Sequence, residues 1–216
     1  MINSNFITYK NNYHLNPAFK GQRLFSLNLK KTLNNSKDYE LIPAFFTRLD
    51  GEEDLTLLNS IQNLWNKTTY WKKIYQEFQE SLLNKRLHNP NRFFMIECPV
   101  FKNPLLQIRA ISKTNDTPNE LYVSYIQSAT EIAELEKVNG AGYGIMRGLC
   151  KIAQKETIPQ IGLTSSKNAV SFYDKLKLTK EHPKHNDFMT YQYAQDKKFF
   201  SYNAFSQKEI KDHCFY

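Results

Sequence analysis

Glycine is scarce in this chain, cysteine scarcer, and no apolar run is long enough to cross a bilayer as a helix. With seven glycines and eight prolines in 216 residues, collagen-like and linker compositions are excluded. The three cysteines, Cys98, Cys150 and Cys214, lie far apart. That spacing fits neither a zinc framework nor a redox CxxC pair. The plain reading is reduced thiols acting as small buried hydrophobes. Residues Met1 to Phe6 lack the basic segment, apolar stretch and small-residue cleavage site of an export signal. A cytoplasmic protein with no membrane partner is therefore expected.

What the chain does contain is a core. Its hydrophobic fraction is 41% and its charged fraction 23%, which excludes a disordered chain. The length allows one large domain, or one ordinary domain with extensions. Net charge is +8 and the sequence pI about 9.2, so the surface attracts anions. Nucleic acid, anionic lipid and phosphorylated small molecules all qualify. The basic residues are spread along the chain rather than blocked into a tail, which reads as a solvated basic surface.

Along the chain, residues 1–37 are polar and aperiodic and read as an N-terminal extension. Residues 38–195 read as the main domain, and 196–216 as a C-terminal tail packing on it. A strand is expected over Tyr39–Phe46, interrupted by Pro43. Asp50 then caps a helix, with Glu53 completing a capping box. Trp71, Ile74, Tyr75, Phe78 and Leu82 mark a second helix. Three strands follow, Arg92–Cys98, Leu105–Ile111 and Leu121–Gln127, with turn-rich connections that favour an antiparallel meander. A helix is expected over 142–156, a short strand over Gln160–Thr164, a short helix over Asn168–Leu176 and a final strand over Phe188–Tyr193. The order β-α-α-β-β-β-α-β-α-β is that of a mixed α/β sheet with flanking helices.

Glycine placement carries the chemistry. Four of the seven glycines, Gly140, Gly142, Gly144 and Gly148, fall within nine positions at the start of the third helix. Glycine permits positive φ and close ligand approach. A helix N-terminus presents N–H groups and a positive dipole end, so the combination suits phosphate. A Walker loop is excluded because no Gly-Lys-Ser/Thr follows. A dinucleotide fingerprint is disfavoured because Arg147 replaces the third glycine and Glu131–Lys137 is too charged for a central strand. The bland alternative is a turn that merely packs a helix closely on a strand.

The segment Asn139-Gly140-Ala141-Gly142-Tyr143-Gly144 resembles the [Gln/Arg]-x-x-Gly-x-[Gly/Ala] motif of the GNAT superfamily of N-acetyltransferases. Downstream, Asn168-Ala169-Val170-Ser171-Phe172-Tyr173 resembles that family's Asn-x-x-Ala/Val-x-x-Phe-Tyr motif. The resemblance spans residues 38 to 195. It departs from the family at Asn139, at Lys177-Leu178, in the longer stretch from Ser128 to Lys137 and in both terminal extensions. It implies a GNAT-like, mostly antiparallel sheet and transfer of an acetyl group from acetyl-CoA to a primary amine by direct attack. It implies that Asn139 to Gly144 cradle the coenzyme A diphosphate. It implies that Asn168 and the strand end at Ile126, Gln127 and Ser128, splayed by a bulge, meet the pantetheine arm. Tyr173 takes the place of the general acid that protonates the departing thiolate. Glu97, Glu131 and Glu134 are candidate bases, with water relay as the alternative.

The acceptor stays open among a small molecule, a protein and an aminoacyl-tRNA, and so does a homodimer. The charge and the exposed aromatics leave a second reading, a basic nucleic-acid-binding or interaction protein without transfer activity. His182 and His185 show metal-like spacing but lack a third ligand, so no metal is expected.

Overall fold

The computed structural model describes residues 21–33, 38–61, 65, 69–84, 91–129, 136–165, 169–176, 179–181 and 198–203. The first part of the chain forms β1 (Gln22–Thr32), β2 (Tyr39–Leu49), α1 (Glu52–Ser60) and α2 (Thr69–Leu83). Then come β3 (Asn91–Glu97), β4 (Ile108–Asp116), β5 (Glu120–Ser128) and the two-residue β6 (Val138–Asn139). The remainder is α3 (Ala141–Lys155), β7 (Gln160–Ser165), α4 (Val170–Lys175), β8 (Thr179–Glu181) and β9 (Lys198–Asn203). The strands form one sheet in the order β6-β1-β2-β3-β4-β5-β7-β9-β8. Every pairing is antiparallel except β5 with β7.

The sheet buries both faces. On one, α3 lays Ile145, Met146 and Leu149 against Ala44, Phe46, Phe94 and Ile96. On the other, Trp71, Ile74 and Phe78 of α2 and Leu58 of α1 cover Leu49, Phe93, Met95 and Ile111. β3 lies under both layers. Its Phe-Phe-Met-Ile run therefore reads as continuously apolar rather than alternating. Each such side chain removed from water contributes about 1.5–3 kcal/mol before entropy is set against it.

Several expectations shift. Residues 22–32, expected within an aperiodic extension, form a strand paired with β2 along its length and with the two-residue β6 at Lys30 and Lys31. Phe25, Leu27 and Leu29 alternate there with the exposed Ser26 and Asn28, a short strand signal that the aperiodic reading passes over. Residues 198–203, expected in a tail, form β9 between β7 and β8. Pro43 does not interrupt β2. Its carbonyl faces away from β1 and accepts from Cys98 Sγ at 3.4 Å. On that side β3 pairs only with Phe45 to Leu49, so the missing proline N–H costs no ladder bond.

The α1 cap moves by one residue to Gly51, and Asp54 rather than Glu53 reaches back. Buried Asp54 accepts from the amides of Asp50, Gly51 and Gly21, which ties the head of β1 to α1. β4 starts at Ile108 because Pro104–Leu106 makes a 3₁₀ turn capped by Asn103. The strand expected over Phe188–Tyr193 lies outside the described residues.

Candidate functional site

The parallel pair β5–β7 comes apart partway. Pairing runs from Glu120↔Gln160 to Val123↔Leu163 and then ends. β5 continues to Ser128 and β7 to Ser165, where β7 stays paired with β9 alone. The cause lies across β5. Lys113 pairs with Tyr125 but Thr114 with Val123, so Ser124 is an inserted residue. Such a bulge bends its strand and increases the local twist. The result is a wedge between Ser124–Ser128 and Thr164–Ser165. At its apex the Tyr122 and Thr164 hydroxyls join at 2.9 Å.

Beside the wedge, α3 begins. β6 pairs Asn139 with Lys30 and Val138 with Lys31, and Gly140 then turns the chain at φ +100°, a conformation that glycine adopts without strain. The first bond of the helix runs from the Gly144 amide to the Gly140 carbonyl at 2.9 Å. The helix ladder itself thus offers no carbonyl to the amides of Ala141, Gly142 and Tyr143. Their N–H bonds and the helix dipole point toward the Gly140 end.

The glycine run divides by role. A Cβ at Gly142 would lie 3.3 Å from the Phe172 ring and 3.5 Å from Ser128 Oγ, so this position lets α4 and the end of β5 close on the first turn. Gly144, also expected in the cradle, is held differently. Its amide is in the helix ladder, and a Cβ there would press on Leu27 and Ile96 at 3.0 and 3.1 Å. Gly148 seats Phe46 directly against the helix, where any Cβ would overlap the ring.

Aromatic contacts carry the site from α3 to α4. Tyr143 meets Phe172 edge-on at 4.9 Å, and Phe172 meets Tyr173 at 5.0 Å. Tyr173 is buried, and that burial pushes its phenol up to about 12, with a smaller electrostatic contribution from Tyr70 of α2. Tyr70 in turn packs on Tyr125 of β5 at 5.6 Å. Burial, then the Glu77 carboxylate, raises the Tyr125 phenol. Glu77 is hydrogen-bonded by Tyr125 and ion-paired with Lys113 of β4. Tyr70, Glu77, Lys113 and Tyr125 were not singled out as site residues in the sequence. No motif links them, because they come from two strands and a helix; only the sheet register brings Lys113 opposite Tyr125.

Among the other expected site residues, Ile126 packs against the α3-face core, and Gln127 Nε2 donates to the Ser128 carbonyl at 2.9 Å. Asn139 is exposed. Glu97 is not a free base. It is fully buried and forked by Arg23 at 3.0 and 3.1 Å. Asn168, Glu131, Glu134, His182 and His185 lie outside the described residues. Among the described residues no three His, Cys, Asp or Glu side chains form a metal-binding group, and no helix is long and apolar enough to cross a membrane.

The donor set suits a long ligand with a phosphorylated end. First-turn amides and a positive-φ glycine favour a diphosphate, and the open β5 edge offers main-chain groups to an amide-containing arm.

No protein-family model and no curated protein matches the sequence. Solved structures do match the fold. One, from Desulfovibrio desulfuricans and described as an acetyltransferase of the GNAT family, is 12% identical, with a TM-score of 0.54 over 74% of this chain and 99% of that one. A point mutant of the Vibrio cholerae spermidine N-acetyltransferase SpeG is 19% identical, with a TM-score of 0.52 over 77% and 96%. A chimera of that SpeG with hSSAT gives 15% identity and a TM-score of 0.52 over 77% and 98%. The fold is that of the GNAT N-acetyltransferases.

Proposed function

We propose that this chain transfers an acetyl group from acetyl-CoA to an amine. The observation that carries the reading is the union of a β5–β7 wedge with a glycine-turned helix N-terminus at one site. Either alone has a purely structural explanation, whereas together they offer phosphate-directed amides beside an open strand edge, the donor chemistry an acyl-CoA needs. The likeness of fold to acetyltransferases supports it.

Bound acetyl-CoA would supply an activated thioester. The amides of Ala141, Gly142 and Tyr143 would hold its diphosphate, and the β5 main chain beyond Val123 its pantetheine arm. Tyr173 keeps its proton on Oη throughout the physiological range; as the new C–N bond forms and the thioester C–S bond breaks, it gives that proton to the departing thiolate, and the proton shed by the acceptor nitrogen restores it through water. With its pKa raised to about 12, Tyr173 is a weaker acid than a thiol in water, at about 8.5. The same burial raises a thiol too, since both are neutral acids that become anions, so the mismatch narrows inside the pocket.

Titration calorimetry with acetyl-CoA tests the reading. A saturable one-site heat is expected, followed by thiol release when an amine is added. Absence of heat at millimolar acetyl-CoA contradicts it.

A further inference from the structure

The narrow end of the β5–β7 wedge is closed on both faces of the sheet. Leu121, Val123, Ile161 and Leu163 belong to the core under α3, and Val123 and Leu163 are the last paired residues before the strands part. Side chains alternate along a strand, so Tyr122, Gly162 and Thr164 face the other way. There the Tyr122 ring crosses from β5 to β7. Gly162, its register partner, has no side chain, and a Cβ there would come within 3.3 Å of the ring. The phenol ends on the Thr164 hydroxyl at 2.9 Å. Thr164 stands one residue past the last backbone pair, so these two side chains bridge the strands where the main-chain pairing stops.

The direction of a bound acyl-CoA brings its acyl group against this bridge. Its diphosphate belongs at the first turn of α3, and that turn lies beside the wide end of the wedge: a Cβ at Gly142 would be 3.5 Å from Ser128 Oγ. From Ser128 back to Val123 the strand covers about 16 Å, at roughly 3.3 Å per residue. A pantetheine arm laid along that edge carries its thioester to the narrow end. A short acyl group there meets Val123 and Leu163 on one face and the Tyr122–Thr164 bridge on the other. A longer one has to push the bridge aside and break its hydrogen bond. We infer that Tyr122 and Thr164 are specificity-determining residues that limit the donor to a short acyl group of acetyl size. This rests on the acetyl-transfer reading and narrows its donor.

Titration calorimetry on the full chain compares coenzyme A, acetyl-CoA, butyryl-CoA and hexanoyl-CoA. Each acyl-CoA affinity is taken relative to that of coenzyme A on the same protein, so a change in the wedge as a whole cancels. In the wild type, butyryl-CoA should bind about tenfold or more weaker than acetyl-CoA, and hexanoyl-CoA no better than butyryl-CoA. Tyr122→Ala should bring butyryl-CoA to within about threefold of acetyl-CoA. Thr164→Ala opens the same bridge from β7 with less loss of packing and should move the ratio in the same direction. A bridge that only held the strands together would lower stability on mutation and leave the ratios as they were. Equal binding of acetyl-CoA and butyryl-CoA by the wild type overturns the inference, and so do wild-type ratios in the folded variants. Either result leaves the transfer reading standing, because the heats themselves show an acyl-CoA site. No heat with coenzyme A or any acyl-CoA removes both.

Discussion

The two sides of the β5–β7 wedge are made of different material. The side toward α3 is main chain: a positive-φ glycine, the first turn of a helix and a strand edge released by a bulge. The side toward α2 is side chain: Tyr70, Tyr125, Glu77 and Lys113. Main-chain chemistry is insensitive to residue identity except where a Cβ intrudes. Side-chain chemistry changes with every substitution. The first half is thus suited to a ligand that stays the same, and the second to one that varies.

That division can be broken from either side. The largest effect is expected at Gly142. A Gly142→Leu side chain must displace Phe172 or Ser128, so acetyl-CoA affinity should fall about 100-fold, or about 2.8 kcal/mol at 1.4 per tenfold. Calorimetry measures it, and a change under about threefold would show that the first turn does not form the cradle. On the other side, Tyr173→Phe removes one oxygen. Turnover should drop about 100-fold with acetyl-CoA affinity unchanged, and an unchanged kcat removes Tyr173 from the mechanism. Gly148→Ala separates packing from binding. The added carbon meets Phe46, so chemical denaturation should show a loss of about 1–3 kcal/mol, without a change in acetyl-CoA affinity for the folded fraction.

The smallest effect is a pH dependence. Tyr173 has its phenol raised to about 12 by burial, against about 10 when unfolded. The unfolded chain therefore ionises first. The contribution is constant below pH about 10 and is lost as pH rises from there through about 12. Between pH 9 and about 11 the wild type should lose about 1 kcal/mol more than Tyr173→Phe in denaturant titrations. Equal losses would mean that this phenol is not desolvated.

The same division explains what the sequence discloses. Gly140 is visible because its positive φ restricts the residue type, and Gly142 because Phe172 and Ser128 close on the same turn. The same run also overstates the site. Gly144 and Gly148 look identical in sequence but answer to Leu27, Ile96 and Phe46, residues remote in the chain. The meander and both long helices are legible from apolar periodicity. β1 is legible only in its middle, where Phe25, Leu27 and Leu29 alternate with Ser26 and Asn28 inside an otherwise polar stretch. The α2-side wall stays hidden for another reason. Lys113 lies opposite Tyr125 through the β4–β5 register and meets Glu77 because α2 crosses that face, and no local spacing encodes such a meeting.

The central claim is that main-chain amides at the start of α3 grip a diphosphate. Amide NMR of the full chain titrated with coenzyme A tests it residue by residue. The largest saturable shifts are expected at Ala141, Gly142 and Tyr143, with smaller ones along Ser124 to Ser128. Unmoved signals at those three amides while shifts saturate elsewhere on the molecule would contradict it.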